Sequence, residues 1–116
     1  LGHTVTIPHA AHGVARARFS DLCERPLAAQ DYLAIAAAYS TIMIDHVPRL
    51  TYDRRNETKR FIILVDILYE HRRRLVISAD ATVDRLFIDN DHAFEFGRTL
   101  SRLQEMGSEG YFVTTK

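Results

Sequence analysis

Apolar and polar residues alternate over residues 3–7 and again over residues 14–19, where Arg16 and Arg18 share one side. A period of two residues is typical of a strand with one face in water. Pro8 and Gly13 bound the intervening residues, 8–13, and both residue types interrupt regular structure. The pattern therefore predicts an N-terminal β-hairpin whose turn lies within residues 8–13.

A short polar connection, residues 21–27, is expected next. Pro26 is predicted at the first position of a helix, because that position has no backbone hydrogen bond to lose. Residues 28–39 are rich in alanine and place Tyr32, Ile35 and Tyr39 on one side at helical spacing. They predict the first long helix.

Two short apolar runs, residues 41–44 and 75–78, flank a longer segment, residues 56–73. Each short run lacks alternation, which predicts a strand buried on both faces. In the longer segment apolar residues recur at helical spacing, Asp53 or Asn56 can cap the start, and the cations at residues 72–74 complement a helix end. Strand, helix and strand at this spacing predict a parallel βαβ unit.

Towards the end of the chain the pattern predicts a short helix at residues 82–87, a loop at 89–91, a helix at 94–106 and a closing strand at 111–113. The predicted fold class is α/β: a layered sheet with a central parallel βαβ unit, an N-terminal β-hairpin and a C-terminal helix. We expect one domain spanning residues 1–116.

Composition narrows the classes of function. Fifteen basic residues balance fifteen acidic ones, so the total charge gives no reason to expect nucleic-acid binding, and at most peripheral membrane association is expected. One cysteine and six unclustered histidines predict no metal site and fit a reducing, cytoplasmic location. The chain starts without Met, so we expect it to be a piece of a longer protein.

Phosphate-binding motifs are missing from the sequence. There is no G-x-x-x-x-G-K-S/T, and the five glycines, at positions 2, 13, 97, 107 and 110, are too scattered to form a loop of backbone N–H groups around a phosphate. We therefore expect the chain alone to be inactive as a nucleotide hydrolase, with no cofactor bound tightly.

Polar residues at the ends of the two central strands are the first candidates for a site. Asp45 ends its strand as a magnesium-holding aspartate does, but His46 follows where a water-orienting carboxylate is needed, so a structural cap is the favoured interpretation. Ser78 and Asp80 lie where a nucleotide phosphate could be contacted, since ligands bind at the carboxyl ends of strands. The competing interpretation is that Ser78 and Asp80 are polar only because they lie in or next to a surface loop.

Arginines on predicted helices are the second set of candidates. Arg98 and Arg102 are four residues apart, on one helix face, and their guanidinium forks suit phosphate oxygens. The competing interpretation is surface pairing with Glu95, Glu105 or Asp91. Arg60 faces the same choice.

Two further charged features favour structural interpretations. The run at residues 72–74 is more typical of a solvated helix end than of a nucleic-acid patch, because no exposed aromatic residues are interleaved with it. Asp66, inside an apolar stripe, is expected to be a hydrogen-bonded structural carboxylate.

Several short sequence motifs of the chain match motifs of one known family. FSDLC at 19–23, RPL at 25–27 and DYLAIA at 31–36 resemble the F-x-E-L-C, P-L-G-A and D-Y-L segments of the ATPase-family-gene-one/ZapE family, a group of P-loop ATPases of AAA+ type. The agreement continues in the same order with DHVPRL at 45–50, RNETKRFI at 55–62, VDILYE at 65–70, FEF at 94–96 and RTLSRLQEM at 98–106. Ala28 and Gly97 depart from the family pattern.

The resemblance implies that the chain is the C-terminal part of such an ATPase, after its Walker A and Walker B motifs. It implies ATP and Mg²⁺ as cofactors of the full-length protein, the rest of the ATPase core as a partner, and a homo-oligomer. In bacteria the similar protein assists division at the Z-ring through the tubulin-like division protein; in mitochondria its relatives serve quality control of respiratory subunits. Arg98, Arg102 and Arg60 would then couple this part to nucleotide.

Two alternatives stay open at this point. The chain could be a partner-binding module without a role in turnover, using the hairpin face with Arg16 and Arg18 and the loop at residues 46–55. It could also bind nucleic acid through residues 72–74. That hypothesis predicts salt-sensitive retention of DNA, and we expect none to be observed.

Overall fold

The computed structural model describes residues 9–81, 85–86, 93–108 and 112–115. Helices and parallel strands alternate along most of this part of the chain. In chain order the elements are β1 (His9–Ala11), β2 (Val14–Arg18), α1 (Phe19–Cys23), α2 (Ala29–Ala38), β3 (Thr41–Val47), a short 3-10 helix (Tyr52–Arg54), α3 (Arg55–Glu70), β4 (Arg74–Ala79), α4 (Ala93–Ser108) and β5 (Phe112–Thr115).

The five strands form one sheet in the order β1-β2-β3-β4-β5. β1 pairs with β2 antiparallel, and every later pair is parallel. Ile42 pairs with Leu75 and Ile44 with Ile77, so β3, α3 and β4 form the predicted parallel βαβ unit. The predicted α/β fold class, with its hairpin and C-terminal helix, is confirmed.

The hairpin turn is tighter than predicted. Residues 9–11, expected within the turn, form β1, and the turn consists of His12 and Gly13 at φ 54° and 79°. Positive φ at both central positions gives the turn type whose twist matches a hairpin. The Gly13 carbonyl also accepts the Ser40 N–H at 2.9 Å and the Thr41 N–H at 3.1 Å. The predicted strand at residues 3–7 lies outside the described residues.

Two aspartates start the helices that follow the hairpin. Asp21 accepts the Arg18 N–H at 3.0 Å and Asp31 accepts the Ala28 N–H at 2.8 Å, each reaching back from the first turn. The prediction of a connection over residues 21–27 was therefore wrong at its start, where α1 lies. Pro26 was also predicted wrongly, because it precedes the first residue of α2 by three positions.

Both ends of α3 differ from the prediction for residues 56–73. Arg54 occupies the N-cap position without a side-chain cap, so neither Asp53 nor Asn56 has the predicted role. The Asp53 carboxylate instead accepts the Thr51 hydroxyl, which lowers its pKa. At the other end Arg72, at φ 55°, stops the helix, and its N–H and that of Arg73 bond back to α3 carbonyls.

The core lies between the helices and one face of the sheet. Burial alternates along the strands, and the buried face carries Ala15, Ala17, Ile42, Ile44, Leu75 and Ile77. Phe61, Leu64 and Leu68 of α3 join the same core cluster. Residues on the other face of β2, β3 and β4 are half-buried or exposed. The prediction that the central strands are buried on both faces was wrong for this chain.

The C-terminal helix and strand follow the predictions closely. α4 covers the predicted residues 94–106, and β5 adds to the sheet beside β4 with Val113 opposite Val76. Of the predicted helix and loop at 82–91, only residues 85–86 are described; the Leu86 carbonyl accepts the Leu50 N–H at 2.7 Å. No helix in the described residues combines the length and apolar character needed to cross a membrane.

Candidate functional site

The predicted arginines of α4 meet carboxylates of α3. Arg98 and Arg102 both reach Asp66, with Nη2 to Oδ2 at 3.2 Å and Nη1 to Oδ1 at 2.6 Å respectively. Residues 66 and 70 lie on one face of α3, and residues 98 and 102 on one face of α4, because each pair is four apart. We call the group Asp66, Glu70, Arg98 and Arg102 the arginine seam.

Arg102 is the anchored member of the seam. Its second nitrogen contacts Glu70 Oε2 at 3.4 Å, and its guanidinium lies 4.8 Å from the centre of the Tyr69 ring. Tyr69 in turn donates its hydroxyl to Glu105 Oε2 at 2.8 Å. Two carboxylates and an aromatic face therefore hold Arg102.

Arg98 is the accessible member of the seam. Its side chain is 55% exposed, against 22% for Arg102, and Asp66 is the carboxylate within ion-pair distance among the described residues. Asp66 keeps its shorter contact to Arg102 if Arg98 turns away. Arg98 is thus the guanidinium in the seam that can change partner at least cost.

Arg60, the third predicted arginine, lies at a different place. Its Nη1 donates to the Cys23 carbonyl at 2.9 Å, at the last residue of α1. Beside it the Tyr32 hydroxyl donates to the Leu22 carbonyl at 2.7 Å. The structure therefore does not bring Arg60 together with Arg98 and Arg102, and its predicted role in turnover stays a prediction.

The two groups next to Arg60 titrate abnormally. Burial raises the pKa of the Cys23 thiol, which is fully enclosed, and also raises the pKa of the Tyr32 phenol. A thiol that stays protonated is a poor nucleophile and a poor metal ligand. Cys23 is therefore a core residue.

The run at residues 72–74 also differs from its prediction. α3 ends at Glu70, so these cations do not extend it. Arg73 Nε donates instead to the Ala36 carbonyl at 2.7 Å, in the last turn of α2, and Arg74 is the first residue of β4. Arg73 thus donates to a free carbonyl at a helix C-terminus, as predicted for these cations, but the helix is α2 and not α3.

Ser78 and Asp80, the predicted nucleotide contacts, lie at the carboxyl edge of the sheet. Ser78 Oγ accepts the His46 N–H at 3.0 Å, where His46 has φ 62° and the pairing of β3 with β4 shifts register. Asp80 is exposed, and its backbone N–H donates to the Val47 carbonyl at 3.0 Å. Asp80 is exposed and Ser78 is half-buried at the expected edge, and a role in nucleotide binding stays a prediction.

Asp45 has a structural partner. Its carboxylate accepts Arg16 Nε at 2.7 Å across the pair of strands β2 and β3, and this bond raises the pKa of Arg16. Engagement with a cation agrees with the interpretation of Asp45 as a structural residue and leaves less of its charge for a metal ion.

The described residues do not form a complete nucleotide site. Among them, no three His, Cys, Asp or Glu side chains come together in a group suited to a metal ion. Their one left-handed glycine, Gly13, has its carbonyl committed to the start of β3.

Sequence reasoning missed the partners of the seam. Asp66 was expected to be a hydrogen-bonded structural carboxylate, and it does accept hydrogen bonds, but its two partners on α4 were not predicted. The usable signal was the spacing: two acidic residues four apart on one helix match two arginines four apart on the next. Neighbouring helices of a parallel sheet lie side by side, so the match could have been sought.

Comparison with known proteins supplies the wider context. The chain matches the family described as AFG1-like ATPase over residues 2–115. It is 41% identical to the cell division protein ZapE of Escherichia coli (strain K12) over 93 residues, covering 80% of this chain and 25% of that protein. It is 32% identical to lactation elevated protein 1 homolog B of Danio rerio over 145 aligned positions, covering 97% of this chain and 29% of that protein.

The chain thus spans between a quarter and a third of the length of these curated relatives. No solved structure gives a significant match. The family match covers nearly every residue, including the seam and the carboxyl edge of the sheet. The chain therefore belongs to the AFG1-like ATPase family.

Proposed function

We propose that this chain is the C-terminal part of an ATPase and assists the hydrolysis of ATP bound, with Mg²⁺, by another part of the protein. Its direct contribution is the Arg98 guanidinium, offered to a phosphate in the same molecule or in a neighbouring copy of a homo-oligomer. The family membership supports ATP hydrolysis as the reaction, and the geometry of the arginine seam supports Arg98 as the contributing residue.

The observation that carries the proposal is the unequal exposure of the two seam arginines. Arg98 is half-exposed with one ion-pair partner among the described residues, whereas Arg102 is held by Asp66, Glu70 and the Tyr69 ring. A phosphate oxygen can replace Asp66 as the acceptor for Arg98, because both are anions that suit a guanidinium. Arg102 then neutralises Asp66, so no carboxylate is left without a cation.

The proposed rate acceleration comes from the position of Arg98 relative to the negative charge that develops on the phosphate during the reaction. Charge spreads over the phosphoryl oxygens in the transition state, and an arginine aimed at them accelerates phosphoryl transfer by about 10³-fold or more in known systems. This chain's part is to hold α4 rigidly on α3 while leaving Arg98 free to turn. The seam provides both properties.

The test compares three variants of the full-length protein. Arg98→Ala should lower kcat for ATP by about 10²-fold or more, with a small change in KM, because the contact strengthens in the transition state. Arg98→Lys should recover only part of the loss, since an ammonium lacks the fork. Arg25→Ala removes an exposed arginine in the connection between α1 and α2 and should leave turnover unchanged.

An Arg98→Ala enzyme with the same kcat as Arg25→Ala would sink the proposal. Thermal unfolding of both variants must be measured alongside, so that a loss of folded protein is not mistaken for a loss of catalysis. The 116-residue chain alone should not consume ATP, and purified chain with enzyme-like turnover would contradict its supporting role.

Ser78, Asp80 and Arg60 have smaller parts in the proposal. Ser78 and Asp80 lie at the carboxyl edge of the sheet, where they would contact nucleotide or sense its phosphate state. Arg60 acts through packing, by holding α1 on α3. Ser78→Ala should therefore affect KM for ATP more than stability, and Arg60→Ala should affect stability more than KM.

The cellular setting is also a proposal. A relative that is 41% identical bears the name cell division protein ZapE. By that likeness this protein would act in the cytoplasm, be recruited to the division site, and contact the tubulin-like division protein. Depletion of the protein in its own organism should delay division, and normal division on depletion would contradict this part.

A second function is favoured by one observation. Both α4 arginines are already paired with carboxylates within the chain, as a purely structural helix seam would require. The chain would then be a partner-binding module without a role in turnover. A pull-down with the full-length Arg98→Ala variant separates the two: partner retained with turnover lost supports the ATPase role.

A further inference from the structure

One face of the sheet has no helix packed on it within the described residues. The helices α1, α2, α3 and α4 share the core with the face that carries Ile42 and Ile77. The opposite face carries Met43 and Val76 side by side in its middle and Val14 in the adjacent row, each half-buried. We call this side of β2, β3 and β4 the open face.

An open face of this kind is unusual for parallel strands. Parallel sheets bury both faces, because crossover connections or other layers cover each side. Here the strands β2, β3, β4 and β5 follow one another in order, so consecutive crossovers of one hand place their helices on the same side. A second layer has to come from residues outside those crossovers.

The charges on the open face indicate the chemistry of the cover. Arg16 is paired with Asp45 at 2.7 Å, and Arg18 lies 3.7 Å from Asp21 of α1. Arg74 is exposed at the amino end of β4, and no carboxylate of the described residues lies within ion-pair distance of it. Two of the three arginines on this face are thus paired with aspartates, which leaves Arg74 as the cation that an acidic group of the cover would complement.

We infer that the open face is the docking surface for another segment of the same protein, an amphipathic helix whose apolar stripe covers Val14, Met43 and Val76 and whose carboxylates reach Arg74. The inference rests on the proposed function, in which this chain works with the rest of an ATPase. The relatives supply the room for such a segment, since the match covers 25% and 29% of their lengths.

A second copy of this chain fits the open face less well. Pairing through a two-fold axis would bring the same surface of both copies together. Arg16 and Arg18 of each copy are offset by Asp45 and Asp21, but the exposed Arg74 of one copy would meet the like-charged surface of the other. Like charges across an interface oppose association.

The experiment uses the full-length protein with Arg74→Lys, which keeps the cation and adds an amine. A zero-length carbodiimide reagent joins this amine only to a carboxylate in direct contact. Mass spectrometry should find a link within one molecule from position 74 to an Asp or Glu outside the 116 residues. The yield should not depend on protein concentration, and Arg25→Lys should give no such link.

Thiol protection supplies an independent measurement on the same surface. The native Cys23 is buried and should not react with the maleimide in the folded protein. In the full-length protein a Met43→Cys thiol should react with a maleimide at least about tenfold more slowly than an Arg25→Cys thiol, because the cover excludes the reagent. In denaturant the two positions should react alike.

Three results would overturn the inference: a link to a second copy that grows with concentration, a link to a different protein, or no link together with a Met43→Cys thiol as reactive as Arg25→Cys. The ATPase proposal fails on a different readout, the turnover of Arg98→Ala. A protected open face with normal turnover in Arg98→Ala would keep this inference and remove the catalytic role of Arg98.

Discussion

Arginines bind two kinds of acceptor in this molecule. At the junction of α1, α2 and α3, Arg60 and Arg73 donate to the backbone carbonyls of Cys23 and Ala36. In the arginine seam, Arg98 and Arg102 donate to carboxylate side chains. A carbonyl at a helix end is fixed by the backbone and in need of a donor. A carboxylate near the surface can exchange one cation for another.

The difference separates arginines that hold the fold from an arginine that is free to act. Losing a donor to a buried carbonyl leaves that carbonyl without a partner, which costs more than losing a surface ion pair. A seam arginine can leave its carboxylate for another anion with little loss. The same residue type thus has a structural role in one region and an exchangeable role in the other.

The largest expected effect tests the structural side of this comparison. Arg60→Ala should lower the free energy of unfolding by about 2–3 kcal/mol, because the carbonyl of the fully buried Cys23 loses a charged donor. Urea unfolding followed by circular dichroism measures the change. Lys59→Ala, on the same helix and exposed, should cost at most about 0.5 kcal/mol. Equal losses in the two variants would break the comparison.

The second prediction uses pH at the same junction. The folded state raises the pKa of both Cys23 and Tyr32, so each group binds a proton more tightly folded than unfolded. Their stabilisation is complete below the unfolded pKa values of about 8.5 and 10 and is lost as pH rises above them. The slope is at most about 1.4 kcal/mol per pH unit for each group.

Urea unfolding at several pH values from neutral to alkaline checks this. Cys23→Ala should remove the loss that begins near pH 8.5. Tyr32→Phe should remove the part that begins near pH 10. Tyr52→Phe, at an exposed tyrosine, is the control and should keep the wild-type profile. A profile in Cys23→Ala that matches wild type would mean that the thiol ionises in the folded state.

The third prediction tests the exchangeable side. Asp66→Asn removes the shared carboxylate of the seam, and we expect a loss of stability of about 1 kcal/mol or less, because the ion pairs are partly exposed. In the full-length protein the same variant should release Arg98 and raise kcat for ATP, with a small change in KM, because the Arg98 contact strengthens in the transition state. A loss of stability as large as that of Arg60→Ala would place the seam in the structural class.

The smallest effect is a gain in stability. Gly97 lies within α4 next to Arg98, and a methyl group placed on its Cα meets no atom within 4 Å. Gly97→Ala should raise the free energy of unfolding by about 0.5–1 kcal/mol, because glycine loses more backbone freedom in a helix. Thermal unfolding measures it. The variant sharpens the comparison because it stiffens the helix that carries Arg98 and leaves the Asp66 contact in place. A loss of stability in Gly97→Ala would contradict the prediction.

Local patterns predicted the order of elements well. Residues 61–68 are rich in β-branched and aromatic residues that suit a strand, yet α3 is a helix, because length and the positions of its apolar residues decide. The placement of Arg98 and Arg102 on one helix face was also predictable, and the structure confirms it through their shared partner. Both predictions needed only contacts between residues close in sequence.

What the sequence concealed depended on distant contacts or on single backbone angles. Arg60 and Arg73 find carbonyls 37 residues away, and no local pattern reveals which arginine has such a partner. The helix α1 escaped notice because Asp21 stabilises its start from inside the first turn. Arg72 at φ 55° ends α3 although arginine is a good helix former, since the tertiary fold overrides its propensity.

The bonds around Gly13 also bear on how the molecule can be engineered. The Ser40 N–H donates to the Gly13 carbonyl, and the Ser40 carbonyl accepts the Arg74 N–H at 3.0 Å, so three strands are connected in series at one edge. An epitope tag or new chain termini placed at residues 12–13 would disrupt the bonds that the Gly13 carbonyl accepts from Ser40 and Thr41. The exposed residues 24–26 between α1 and α2 are the better point for such an insertion.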